Sequence, residues 1–208
     1  MIFDLIFWLL ALATAITVHE AAHAWMADRL GDPTPRLMGR LTLNPIKHYD
    51  PVGTTMLLAT SLMRLFGVPV MPFGWAKPVL FDPYNLKNPK KDAALVSLAG
   101  PLANLLVSLL LVLAIRFVGG YLFLAPMILL NISLAVFNLV PIYPLDGEKI
   151  ITGILPHKDA LEFEAFMHRY GSLLLLGLIV PLINGQSLIS LTISPLINTL
   201  FTFLTSLL

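Results

Sequence analysis

Apolar residues in this chain fall into long blocks, and the charged residues gather in the stretches between them. A helix needs about 20 apolar residues to cross roughly 30 Å of hydrocarbon. Residues 5–27, 93–117 and 121–140 meet or approach that length, and so do 170–184 and 187–206 taken as a pair. Asn184-Gly185-Gln186 is a turn signal and divides the pair into a C-terminal helical hairpin spanning 170–208, a tail without a single charged side chain. The stretch 51–67 is different. Its uncharged run stops at Arg64, with Arg29, Arg36, Arg40 and Lys47 before it and Lys77, Lys87, Lys90 and Lys91 after it. Were it to cross, one of these basic loops would lie on the wrong side of the membrane, so the pattern predicts a re-entrant or interfacial segment. Residues 28–92 and 141–169, the latter with Lys149, Lys158 and Arg169, are then cytoplasmic, and the N-terminus and 118–120 lie outside.

Two shorter stretches read as strands. Leu37, Leu41 and Leu43 alternate within Arg36–Asn44, and Val68–Leu80 is rich in proline, glycine and aromatic residues. Strands at membrane depth must be shielded by protein, because lipid offers the backbone no partners. Pro156–Arg169 reads as an interfacial amphipathic helix. The expected fold is an all-α polytopic membrane protein of about five transmembrane helices, with one re-entrant or interfacial segment and short membrane-associated β-strands. No polar linker divides residues 1–208, so the expectation is a single integral-membrane domain.

Composition sharpens this picture. Charged residues make up 12% of the chain, half the roughly 25% of a soluble domain, and hydrophobic residues 57%, which places it in the membrane class. The net charge of +1 gives no basis for nucleic-acid binding. The absence of cysteine removes thiol nucleophiles and thiolate ligands, so any metal must be held by His, Asp or Glu. The first apolar block lacks a basic leader and carries Asp4, which predicts a retained helix rather than a cleaved signal.

That block also carries Val18-His19-Glu20-Ala21-Ala22-His23, an H-E-x-x-H pattern. Four-residue spacing puts both imidazoles on one helix face, within reach of a single Zn2+. Glu20 sits beside the pair, where a carboxylate can take a proton from an activated water and pass it to a leaving amine. Two histidines and a glutamate in an apolar span are expensive unless paired or liganded. Asp146 is the candidate third ligand. It follows Pro141 and Pro144, which break the preceding helix. A helix N-cap is the alternative role for it, but it and the histidines fall at matching depths near the cytoplasmic side. Glu148 is the next carboxylate in line.

Three motifs stand in order: His19–His23, then Ala99-Gly100-Pro101-Leu102-Ala103-Asn104, then Asn138-x-x-Pro141-x-x-Pro144-Leu145-Asp146-Gly147. With them the chain resembles the site-2 proteases of the compact bacterial and archaeal type, over most of residues 10–150. The three-residue connection between the spans 93–117 and 121–140 leaves no room for a PDZ-like insertion. The resemblance implies an intramembrane zinc metalloprotease with a catalytic core in 1–150. It implies His19, His23 and Asp146 as ligands to one zinc and Glu20 as general base and acid. The implied substrate is a membrane-spanning protein cut within or near its transmembrane helix. Asn104 is expected to contact substrate or to act as helix–helix glue, and Asn138 to orient the Asp146 loop or contact substrate. Three prolines in Pro69–Val79 suit an edge strand that would hold an unwound substrate.

His48 reads as a surface histidine, and His157 and His168 carry no assigned chemistry. Two rival functions share some of these features, a divalent-metal transporter and a catalytically inactive membrane binding protein. A transport path needs polar groups at several depths, whereas here they cluster toward one side. The intact Glu20 argues against an inactive protein.

Overall fold

The computed structural model describes residues 2–67, 74–183 and 186–206. In chain order the helices are α1 (Ile2–Leu30), α2 (Thr34–Leu37), α3 (Pro51–Leu65), α4 (Pro89–Val118), α5 (Tyr121–Asn138), α6 (Asp146–Ile154), α7 (His157–Ile179) and α8 (Leu188–Thr205), with 3-10 turns at Pro45–His48 and Pro83–Asn85. A short antiparallel pair, β1 (Pro181–Ile183) and β2 (Gln186–Ser187), joins α7 to α8. Among the described residues four helices are long and apolar enough to cross a membrane: Ile6–Leu30, Pro89–Val118, Tyr121–Asn138 and Leu188–Thr205.

The expected amphipathic segment and the apolar run after it form one helix, α7. No breaker separates Arg169 from Tyr170, so the helical ladder carries on through the change from charged to apolar side chains. Its charged half keeps it out of the four.

The strands expected over Arg36–Asn44 are absent. Pro35 sits in the first turn of α2 and favours helix there, and after Met38 the chain turns at Gly39, whose φ of 68° lies in the left-handed region. In the second stretch, residues 68–73 lie outside the described ones and 74–80 form neither helix nor strand. The amides of Lys77 and Val79 are instead spent on the His48 carbonyl (3.0 Å) and the Glu20 carboxylate (2.9 Å).

The centre of the molecule is α4, which packs against α1, α5 and α6. Gly119 and Gly120, with φ of 71° and 81°, turn α4 into α5 within two residues, a reversal that side chains with a Cβ resist. At the other end of α5, Gly147 lets α6 start against the chain leaving α5. A Cβ there would stand 2.4 Å from the carbonyl oxygens of Leu139 and Val140. The apolar core lies among α4, α5 and α8, built on Val112, Ile115, Ile128, Ile132 and Val136.

The end of α1 is fastened by a fully buried Asp32. Its carboxylate accepts from the Thr34 amide (3.0 Å), the Asn85 side chain (2.8 Å) and the Asp82 amide (2.7 Å). Burial pushes the Asp32 carboxyl up, but the hydrogen bonds from Thr34, Asn85 and Asp82 outweigh it and hold it below the usual carboxylate range. The loops on both sides of α3 are thereby tied to the helix that carries His19 and His23.

Candidate metal centre

His19 and His23 lie on the face of α1 that meets α4, and only 4% and 7% of their surface is exposed. Their approach requires a glycine opposite. A Cβ on Gly100 would stand 2.5 Å from His23 Nε2 and 2.7 Å from His19 Cε1. Asp146 comes in from the start of α6, its Oδ2 3.1 Å from His19 Nε2 and 3.3 Å from His23 Nε2. Asp146 is the first residue of α6 and Leu145 the residue that caps it, with no side-chain cap bond. The carboxylate is thus turned to the imidazoles rather than to the helix end.

The outer nitrogens settle the direction of each ring. His23 Nδ1 donates to the Val96 carbonyl at 2.7 Å, and His19 Nδ1 to Asn104 Oδ1 at 2.7 Å. Asn104 must present its oxygen to His19, because its nitrogen donates to the Ala15 carbonyl (3.0 Å) and to Asn131 Oδ1 (2.8 Å). Asn131 in turn donates to the Met127 carbonyl at 2.9 Å. With each Nδ1 turned outward, both Nε2 atoms face the same carboxylate oxygen. Two imidazoles and one carboxylate gathered this closely are a zinc donor set that leaves a position open for water.

Glu20 lies beside this group, partly exposed, with Oε2 held by the Val79 amide.

The geometry also places the remaining candidates, and it corrects the surface reading of His48. Asn104 is fully buried, with both amide hydrogens donated and its oxygen facing His19. Asn138 donates to the Leu134 carbonyl in its own helix (2.9 Å) and makes no hydrogen bond to the Asp146 loop among the described residues. His48 is 2% exposed rather than on the surface, because its Nε2 donates to the Thr42 carbonyl at 2.9 Å and its own carbonyl anchors Lys77. Asn131 and Ser108, both buried, were not singled out from the sequence. A polar side chain inside an apolar span was the available signal.

The profile of the family described as "Peptidase family M50" matches residues 7–125 and 119–178. The chain belongs to peptidase family M50. YwhC of Bacillus subtilis is 39% identical over 160 residues, which cover 71% of this chain and 68% of that protein. Rip2 of Mycolicibacterium smegmatis is 34% identical over 149 residues, 67% of this chain and 52% of Rip2. MJ0392 of Methanocaldococcus jannaschii is 25% identical over 160 residues, 74% of this chain and 36% of its own length. All three carry names that assign them to the zinc metalloproteases. The match thus spans about half of Rip2 and about a third of the archaeal relative. No solved structure matches the chain at a significant level. As an M50 member with four membrane-length apolar helices, the protein is a zinc metalloprotease of the membrane, and the transporter reading is not favoured.

Proposed function

We propose that His19, His23 and Asp146 hold the catalytic zinc, that Glu20 moves the protons of peptide hydrolysis, and that the substrate is a membrane-spanning protein cut within or beside its transmembrane helix. The observation that carries this reading is the convergence of two Nε2 atoms on Asp146 Oδ2 at 3.1 and 3.3 Å, with both outer nitrogens already committed. Zinc supplies the Lewis acidity that polarises a carbonyl and makes water a nucleophile near neutral pH.

The rest is the work of the chain. Val96 and Asn104 fix the ring orientations, so the ligands need no reorganisation when metal and substrate arrive. Glu20 accepts a proton from water as the nucleophile forms and delivers it to the amine that leaves. The Val79 amide holds Oε2 at 2.9 Å, which leaves Oε1 as the oxygen that exchanges the proton.

A transmembrane substrate shields its own peptide bonds with helical hydrogen bonds and must unwind to be cut. Its exposed backbone then needs partners, since hydrocarbon supplies none. The segment 74–80 lies against Glu20 and is suited to offer them. An apolar cavity of about 770 Å³ next to it, lined by Ile16 and Thr17 of α1, Leu57 of α3, Trp75, Ala76 and Leu134, accommodates side chains from a lipid-soluble helix.

Cleavage of co-expressed single-span membrane proteins tests the mechanism. Glu20→Gln keeps the shape but not the basicity of the carboxylate, so zinc is retained and cleavage falls by about 10²–10⁴. Cleavage near the wild-type rate would overturn the role given to Glu20.

The basic residues assign 28–92 and 141–169 to the cytoplasm and the N-terminus to the outside. Helix α3 supports this, because 15 residues extend only about 22 Å, less than the hydrocarbon thickness. The chain has no cysteine, so single cysteines placed in 28–50 and in 74–92 report cleanly on sidedness. Both should resist an impermeant external reagent, and labelling of one loop alone would mean that α3 crosses.

A further inference from the structure

The mechanism leaves unused a second group of donors beside Asp146. Glu148 follows it by two residues in the first turn of α6, and Glu164 and His168 stand one turn apart on α7. One ligand atom from each of the three lies within 4.8 Å of the other two.

Glu148 is the informative member, because only 1% of it is exposed. A carboxylate withdrawn from water needs a full set of donors or a cation. Glu148 has neither at close range. Its Oε1 accepts from the Thr152 hydroxyl at a long 3.3 Å, and Oε2 pairs with Lys149 Nζ only at 4.0 Å, the outer limit of an ion pair and too far for a hydrogen bond. His168 Nε2 is 3.9 Å from Glu164 Oε1, so those two do not satisfy each other either. The His168 ring packs against Tyr143 at a tilt of 39°, with centroids 4.5 Å apart. One turn on, Gly171 brings α7 against the same residue, for a Cβ there would meet the Tyr143 Cβ at 2.8 Å. Helix α7 is therefore held against the loop that delivers Asp146.

We propose that Glu148, Glu164 and His168 form a second divalent-cation site, distinct from the catalytic one, that clamps α6 to α7. One imidazole and two carboxylates suit zinc or a similar borderline ion. Ligand atoms around a tetrahedral zinc lie about 3.4 Å apart, and rotation of the half-exposed Glu164 and His168 closes the gap from the observed spacing. Their exposure also gives the ion a way in and room for water in the remaining positions. Filling the site would tether the first turn of α6, and with it Asp146, to α7. Only this effect on Asp146 rests on the catalytic reading above, and the metal count does not.

The test is zinc stoichiometry on the purified full-length chain in detergent, loaded with zinc, freed of excess and analysed by elemental mass spectrometry. The wild type should carry two ions per chain, and Glu164→Gln, Glu148→Gln and Asp146→Ala one each. Glu164 is partly exposed on a helix surface, so its change to Gln leaves folding intact even where the buried Glu148→Gln does not. Asp146→Ala combined with Glu164→Gln should carry none. A wild type with one ion, lost on Asp146→Ala and unaffected by Glu164→Gln, overturns the second site and leaves the catalytic reading standing. Two ions with only the Glu164-dependent one removable do the opposite.

Discussion

Helix α4 turns one stripe inward along its whole length, yet the two halves of that stripe do different work. Val96, Gly100, Asn104, Ser108 and Val112 follow one another at four-residue steps, and all are buried. In the first half the stripe meets α1. The Val96 carbonyl and Asn104 hold the histidine rings, and Gly100 makes the space they occupy. In the second half Val112 and Ile115 meet Ile128, Ile132 and Val136 of α5, with Ile193, Ile197 and Leu200 of α8 packed outside them. In lipid, apolar burial brings little net driving force, because the alternative solvent is equally apolar, so the apolar cluster of the second half relies on close packing. The first half is held by directional bonds that each admit one partner. The lesson is that tolerance to substitution should change sharply along a single helix face.

The largest break should come from Gly100→Ala. Its Cβ would stand 2.5 Å from His23 Nε2, so the imidazoles must move; zinc content should drop and cleavage fall by about 100-fold, the scale of a misplacement near 1 Å. Alanine at Gly177, where a Cβ meets nothing within 4 Å, is the matched control and should change neither. A normal zinc content in Gly100→Ala would show that the two helices can slide apart without disturbing the site.

Asn104→Ala removes the acceptor that holds His19 Nδ1 and should weaken zinc affinity by about 10–100-fold, read by competition with a chelator. Should affinity stay at the wild-type value while thermal stability falls, Asn104 serves only helix packing. The smallest effect belongs to the apolar half: Ile132→Val should lower stability in a melting experiment by about 0.5–1.5 kcal/mol and leave cleavage unchanged. Loss of activity from that change would mean that the two halves are coupled rather than separate.

The contrast also marks how far the chain could be read before folding. The histidine pair, Glu20 and the spans are local patterns. Their spacing of four and their apolar blocks fix a helix face and a crossing regardless of what packs alongside. Prolines 141 and 144 announce a break after α5 in the same way. The strand expectation over Arg36–Asn44 failed because alternation of three leucines is weaker than a proline in a helical first turn and a glycine at positive φ.

The sequence by itself determined that this chain enters a membrane, that one of its helices brings two imidazoles to the same face with a carboxylate beside them, and that any metal there is bound without sulfur. How Asp146 and Asn104 come to stand against the histidines was decided only by tertiary structure. Asn104 is 85 residues from His19 and Asp146 is 127, while Asn131 reaches the histidine only through Asn104. The burial of His48 and of Glu148 belongs to the same class. A residue's partners at such separations depend on which helices pack and on where a missing Cβ lets them approach, as at Gly100 and Gly147. No local pattern encodes that, because the same asparagine on a different neighbour is packing glue and against His19 it sets the direction of a ring.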